Sequence, residues 1–250
     1  SDAAALTTRA ERQGDHYVLN GQKSFISGAG NPHDFYIVMV RTGEAGPRGI
    51  SCLVVEGGTK GVYFGKNERK MGWHAQPTRA VIFEDARVPV AHRLGAEGEG
   101  FRMAMAGLDG GRLNIGACSL GGGEAALEKA LNYMAERKAF GRRLDQFQAL
   151  QFRLADMATE LEAARSLLWR AAAALDAGAQ DATQLCAMAK RVATDAGFKA
   201  ANDALQLLGG YGYLADYGIE KIVRDLRVHQ ILEGTNEIMR LIVARELVGR

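Results

Sequence analysis

The period of the hydrophobic residues changes once along the chain, near residue 90, and that change constrains the fold more than any other feature. Residues 15–90 carry short runs of β-branched and aromatic residues punctuated by glycine: HYVLNG at 16–21, DFYIVMV at 34–40, GISCLVV at 49–55 and RAVIFEDARV at 79–88. Such residues suit a pleated, half-buried surface. No helical pattern separates one run from the next, so the strands are expected to pair antiparallel, a parallel pair needing a long crossover. Asn20-Gly21, between apolar runs, predicts a hairpin turn, because both residues tolerate positive φ.

After Pro89 the period becomes helical. Leu150, Leu154, Met157, Leu161, Ala164, Leu168, Ala171 and Leu175 advance by steps of four and three, which places them on one helix face, and Gly178 closes that helix. Leu120, Leu127, Leu131 and Met134 make a second stripe, and Leu185, Met188, Val192, Ala196 and Leu208 a third. A fourth helix is expected to start near Thr235 and run through Ile238, Leu241, Ile242 and Leu247. The expected fold class is α+β. An antiparallel β sandwich or barrel remnant over residues 1–90 precedes a C-terminal antiparallel four-helix bundle over residues 91–250.

Charge and cysteine usage narrow the function. The net charge of the 250 residues is +2, which leaves no basic field for nucleic acid. No apolar run approaches the ~18–20 residues that a membrane span needs. Cys52, Cys118 and Cys186 are odd in number and widely spaced, which argues against a disulfide framework and a thiolate metal cluster. The five histidines show no HExxH spacing, so no metal site is expected. The opening SDAAALTTRA carries no signal-peptide pattern.

Three stretches admit two readings each. In LEGTNEIMR (232–240), Thr235 caps a helix, Glu237 complements its dipole and Glu233 is a loop carboxylate; alternatively, Glu233 faces a pocket as a general base. In LQLLGGYGY (205–213), the glycines end a helix, or they let the backbone approach a phosphate. In AERKAFGRRLDQFQ (135–148), Arg137, Lys138, Arg142 and Arg143 surround Phe140 as a solvated helix end or as a shelf for an anion and a ring. GEGF at 98–101 does not match GxGxxG, and no GxxxxGK[ST] exists.

Together with GLDGGR (107–112), ERKAFG (136–141) and QFQALQF (146–152), the glycine and glutamate motifs resemble, in order and spacing, the C-terminal half of the acyl-CoA dehydrogenases. NGQKSFISGAG (20–30) and KMGWHAQPTRAVIFEDARVPV (70–90) resemble that family's middle domain, so the resemblance covers essentially the whole chain. GLDGGRLNI, ACSLG and HQILEGTNEIMR look most like the branch that handles the isobutyryl thioester in valine catabolism.

The resemblance implies an FAD-dependent enzyme that dehydrogenates a short branched acyl-CoA across its α,β bond. Glu233 takes the position of the base that removes the α-proton, while the β-hydride goes to flavin N5. A second base location used in the family falls on Gly111, which has no side chain. Phe25, Ile26 and Ser27 match the stretch against the isoalloxazine, and Thr235 and Glu237 match positions on the adenosine side. Arg137, Phe140, Gln148, Gln206, Gly209 and Gly210 match residues that reach the FAD of a neighbouring subunit. Ser1, Asp109, Gly110, Gly111, Arg112, Gly234 and Arg245 match substrate or coenzyme A contacts, with Arg112 and Arg245 also readable as bundle ion pairs. The family's habits imply a homotetramer and electron-transferring flavoprotein as partner. They place the protein in a bacterial cytoplasm or a mitochondrial matrix. Family chains begin with an N-terminal helical domain and a β segment ending in a GxGSD-like motif. Ser1-Asp2 resemble the last two letters of that motif, so both preceding parts are expected to be absent. Two alternatives stay open: an oxidase-like member reoxidised by dioxygen, and a catalytically silent helical oligomerisation module.

Overall fold

A computed structural model describes residues 2–249, arranged as two compact units, Ser1–Gly107 and Leu108–Arg250. The first is built on a seven-stranded sheet of β1 (Arg9–Gln13), β2 (His16–Ser27), β3 (Phe35–Arg41), β4 (Ile50–Glu56), β5 (Val62–Phe64), β6 (Thr78–Pro89) and β7 (Arg93–Leu94). Their order is β5-β6-β2-β1-β3-β4-β7. Every neighbouring pair is antiparallel except β1 and β3, which meet in parallel through Arg9 and Arg41. Tyr17 and Leu19 of β2, Val38 and Val40 of β3, Leu53 and Val55 of β4, and Val81 and Phe83 of β6 alternate inward to form its core. Strand β1 escapes sequence reading because RAERQ holds one apolar residue, Ala10, and shows no alternation. The first turns of the long helix that begins at Gly100 belong to this unit, where Gly100 approaches the Ser51–Cys52 backbone too closely for any side chain.

The hairpin expected at Asn20-Gly21 is not a turn. Both residues lie inside β2, where the register with β6 shifts between Leu19 and Gly21. Gly21 has φ +132°, and a Cβ there would meet the Thr8 Cα at 2.9 Å. The Asn20 amide donates to Asp85 Oδ1 at 2.9 Å, and the Asp85 N–H donates back to Asn20 Oδ1 at 3.0 Å. A bulge needs the same left-handed tolerance as a tight turn, which is why the dipeptide misleads. The actual hairpin joins β1 to β2 at Gly14, where φ is +65°.

The second unit is helical: α1 (Gly100–Glu136), α2 (Gln148–Asp176), α3 (Ala182–Leu208), α4 (Ile219–Arg227) and α5 (Asn236–Val248). The α2 stripe is buried over Met157, Leu161, Ala164, Leu168 and Ala171. Its partner α3 buries mostly alanine, and small residues let backbones approach. A Cβ on Gly123 of α1 would stand 3.0 Å from the Gly197 Cα of α3, and one on Gly197 would stand 2.8 Å from the Ser119 carbonyl carbon. Among the described residues five α-helices stand where four were expected, because the nine residues of α4 are too few to show a period. Leu131, assigned to the second stripe, is 47% exposed, and Leu241 and Leu247, which lie on the expected last helix, are also exposed. Among the described residues, no helix is long and apolar enough to cross a membrane. None of their His, Cys, Asp and Glu side chains gather in threes to hold a metal ion.

Two outcomes follow from this packing. Gly197→Ala drives a methyl into the α1 backbone and lowers stability by about 1–3 kcal/mol in denaturant titration. Gly121→Ala on α1, where a Cβ meets nothing within 4 Å, leaves stability equal or raises it by up to about 1 kcal/mol. The second concerns His229, buried in the turn Val228–Gln230 with Nδ1 2.6 Å from Ser119 Oγ. Burial pushes its imidazole down to about 4, with nearby Asp225 opposing. The unfolded chain therefore binds the extra proton first, so this contribution is complete above the ordinary histidine value and fades as pH falls toward 4. Between about pH 6.5 and 4 the parent loses about 3 kcal/mol more stability than His229→Asn does. Equal pH slopes for the two proteins would contradict the assignment.

Candidate active site

The turn that carries Glu233 is built from backbone in an uncommon conformation. After Val228–Gln230, the N–H groups of Ile231 and Leu232 both donate to the Val228 carbonyl, at 2.8 and 3.0 Å. Glu233 and Gly234 then adopt φ +55° and +85° in succession. A left-handed glutamate costs about 1–3 kcal/mol and persists only where surrounding structure holds it. The chain re-enters a helix at Thr235, whose Oγ1 accepts from the Ile238 N–H at 3.3 Å. Thr235 is therefore a cap. Glu237, in the first turn of α5 and exposed, has its carboxyl held below the usual range by its own N–H and by Thr235.

The reversal aims the half-buried Glu233 side chain at α1. A Cβ on Gly111 would overlap Glu233 Oε2 and lie 3.0 Å from its Cδ, whereas one on Gly110 would meet nothing within 4 Å. The carboxylate thus rests on a stretch of helix whose backbone is bare. Glu233 and Gly111, separated by more than a hundred residues in the chain, are one structural feature.

Beneath the turn lies a buried polar cluster that sequence reading missed. Lys190 of α3 is fully buried, and its Nζ donates to the Gly234 carbonyl at 2.8 Å and to Asn236 Oδ1 at 2.9 Å. Burial pushes its ammonium down to about 8, with Asp195 and Glu233 opposing. Asn236 donates in turn to Thr194 Oγ1 at 3.0 Å and Asp195 Oδ1 at 2.8 Å, and Gln230 donates to the same Asp195 oxygen at 2.8 Å. The available signal was a lysine in register with Cys186, Ala193 and Gly197 on the buried face of α3.

Asp109 and Arg112 on α1 form a buried ion pair at 2.6 Å, and Asp109 Oδ2 also accepts from Thr183 at 2.7 Å. Their first engagement is internal, which fits the ion-pair reading of Arg112, although its buried Nε has no partner among the described residues. Arg245 is exposed in the last turn of α5. Ser1 lies outside the described residues.

Four other predicted residues come together elsewhere in the helical unit. Arg137, Gln206, Gly209 and Gly210 line one cleft of about 670 Å³ with Tyr133, Arg153 and Tyr211. Gly209 has φ +58°, and neither glycine would seat a Cβ against anything within 4 Å, so their backbones are open to the cleft. The Arg137 guanidinium lies 5.4 Å from the Tyr211 ring centre. Guanidinium groups, a carboxamide and open glycine backbone are the donor chemistry of a diphosphate, and the tyrosines offer a flat apolar wall. Phe140 does not line this cleft. With Gly141 it forms a two-residue turn between the strands Lys138–Ala139 and Arg142–Arg143, at φ +52° and 96% exposed. Gln148, at the start of α2, is also exposed and outside the cleft.

In the sheet unit, Ile26 and Ser27 line a groove of about 500 Å³ with Lys23, Tyr36, Val38 and Phe83. Burial pushes the Lys23 ammonium down to about 8. Phe25 occupies the second register shift between β2 and β6, at φ +58° and 76% exposed. An apolar groove bordered by a presented aromatic ring suits a flat heterocycle.

Comparison with known proteins agrees in both units. Residues 1–86 match the acyl-CoA dehydrogenase middle domain, and residues 98–248 match the acyl-CoA dehydrogenase C-terminal domain. The chain is 58% identical over 248 residues to mitochondrial isobutyryl-CoA dehydrogenase of Bos taurus, covering 99% of this chain and 59% of that one. It superposes with a TM-score of 0.95 on butyryl-CoA dehydrogenase from Megasphaera elsdenii at 42% identity, covering 99% of this chain and 64% of that one. A chain solved in work on the electron transferring flavoprotein of Acidaminococcus fermentans gives a TM-score of 0.96 at 46% identity, covering 100% and 65%. Fewer than two thirds of each relative's residues are thus represented here, and over that span the chain belongs to the acyl-CoA dehydrogenase family.

Proposed function

We propose that this chain supplies the base and much of the cofactor surface of an enzyme that dehydrogenates short branched acyl-CoA thioesters, isobutyryl-CoA above all. The observation that carries the reading is the Glu233 carboxylate held against Gly111 by a left-handed turn. Removal of a proton α to a thioester needs a carboxylate at hydrogen-bonding range of that carbon, on a support that does not compete for it. A bare glycine is such a support. The 58% identity to the bovine isobutyryl-CoA enzyme favours the branched short-chain substrate, and Gly110 leaves open space where a side chain would otherwise intrude.

The family binds FAD, and the surfaces present fit it. Phe25, Ile26 and Ser27 would take the isoalloxazine. The cleft of Arg137, Gln206, Gly209 and Gly210 would take the diphosphate and adenosine end from a neighbouring subunit, with Phe140 and Gln148 beside it, and Thr235 and Glu237 would border the molecule's own cofactor. When bound, FAD supplies the acceptor for the β-hydride. Glu233 takes the α-proton, and the enolate-like charge on the thioester oxygen is met by the Glu233 backbone N–H. Proton and hydride leave adjacent carbons, and isobutyryl-CoA is left as its α,β-unsaturated 2-methylpropenoyl thioester. Asp109, Arg112 and Arg245 would contribute on the coenzyme A side, Asp109 and Arg112 by fixing α1 through their ion pair. Electron-transferring flavoprotein is the proposed acceptor of the electrons and a homotetramer the proposed assembly, in a bacterial cytoplasm or a mitochondrial matrix.

The reading is tested in the flavin-loaded, full-length protein. Glu233→Gln keeps the flavin absorbance and loses about 10³-fold in kcat on isobutyryl-CoA. Gly111→Ala, which pushes a methyl onto the carboxylate, loses about 10- to 100-fold. Gly107→Ala, an exposed α1 glycine with no neighbour within 4 Å, stays within about threefold of the parent. Parent-like turnover by Glu233→Gln would refute the base assignment.

A further inference from the structure

We propose that Lys190 is a positioning residue. By donating to the Gly234 carbonyl and to Asn236, it locks the left-handed turn that keeps the Glu233 carboxylate over Gly111. The inference rests on the reading of Glu233 as the base and deepens it.

Packing alone does not account for a lysine here. The side chain is fully buried on a helix face that, apart from Thr194, is made of alanine, glycine and cysteine around it. A methionine would fill a similar volume without the cost of burying an ammonium. The position is also electrostatically adverse in one respect. Lys190 reaches the N-terminal end of α5, where the helix dipole is positive. What the ammonium provides in return is specific: its acceptors, the Gly234 carbonyl and Asn236 Oδ1, stand on either side of Thr235, one on the turn and one at the first residue of α5. A left-handed glutamate relaxes toward ordinary backbone unless its neighbours prevent it, and the Gly234 carbonyl belongs to the residue directly after it, itself at φ +85°. Thr194 serves a different part of the cluster. It bonds Asn236 and the Arg191 carbonyl, and no bond to Gly234 accompanies them.

This difference supplies the experiment. Lys190→Met and Thr194→Val are prepared in the flavin-loaded, full-length protein beside Glu233→Gln and the double variant Lys190→Met/Glu233→Gln. Lys190→Met is expected to lose about 100-fold in kcat with KM within about threefold and flavin content unchanged, because a base displaced by about 1 Å loses that much. Thr194→Val also loses a buried hydrogen bond and some thermal stability, yet keeps kcat within about threefold. In the Glu233→Gln background, Lys190→Met adds less than about threefold, because the two act through one group. A crystal structure of Lys190→Met reads the geometry without activity, and Glu233 is expected to leave positive φ and its place over Gly111. Should Lys190→Met fail to fold, Lys190→Gln is judged by the same criteria. Parent-like kcat in the lysine variant, or losses in both single variants that merely track thermal stability, would overturn the proposal. An active Glu233→Gln together with a displaced turn in Lys190→Met would remove the base assignment and leave the lysine's hold on the turn standing.

Discussion

The proposed site in the helical unit depends on a carboxylate lying against a glycine. Helix α1 offers at Gly111 a strip of backbone with nothing projecting from it, and the turn before α5 brings Glu233 back over that strip. Each half is unfavourable alone. Glycine in the middle of a long helix costs about 1 kcal/mol relative to alanine, and a glutamate at φ +55° is strained. The two costs make sense together, because only a glycine leaves room for the carboxylate and only a reversed turn delivers it. The rest of the bundle supports this contact. The close approach of α1 and α3 through Gly123 and Gly197 brings a second helix near enough for Lys190 to reach the turn.

Backbone strain marks the same residues that the family motifs single out. Among the described residues, five other than glycine have positive φ: Phe25, Trp73, Asp85, Phe140 and Glu233. Phe25 and Phe140 are strongly exposed aromatic rings, and Glu233 is the proposed base. Proteins concentrate such conformations where a side chain has to be presented rather than packed. Asp85 has a purely architectural reason, the bulge it shares with Asn20. Strain here is a guide to sites only after its structural causes have been removed.

Much of the fold was legible because the hydrophobic period is a direct record of which side faces water. The four long runs of β-branched residues became β2, β3, β4 and β6, and the α2 stripe became the buried face of α2. What escaped reading has physical reasons. Strands β1, β5 and β7 are short and α4 has nine residues, so none spans enough periods to register. Asn20-Gly21 misled because a bulge and a hairpin ask the same conformational favour of glycine. For the candidate site, motifs pointed to Glu233, Gly111 and the Gly209-Gly210 pair, since each is a local pattern, and the structure brings Glu233 to Gly111 and the glycine pair to a cleft. They missed Lys190 and Asn236, whose significance lies in a meeting of α3 with the turn before α5 that no spacing along the chain reveals. Phe140 and Gln148 carry family motifs yet do not line the cleft that gathers Arg137, Gln206 and the glycines.

The account comes down to where one oxygen stands relative to one carbon. A crystal structure of the flavin-loaded, full-length protein with a saturated short branched acyl-CoA bound tests it most directly. A Glu233 carboxylate oxygen about 3–3.5 Å from the thioester α-carbon, with the side chain still resting over Gly111, is the predicted result. An α-carbon facing a different carboxylate, or Glu233 turned into bulk solvent while the thioester is seated, would contradict the account.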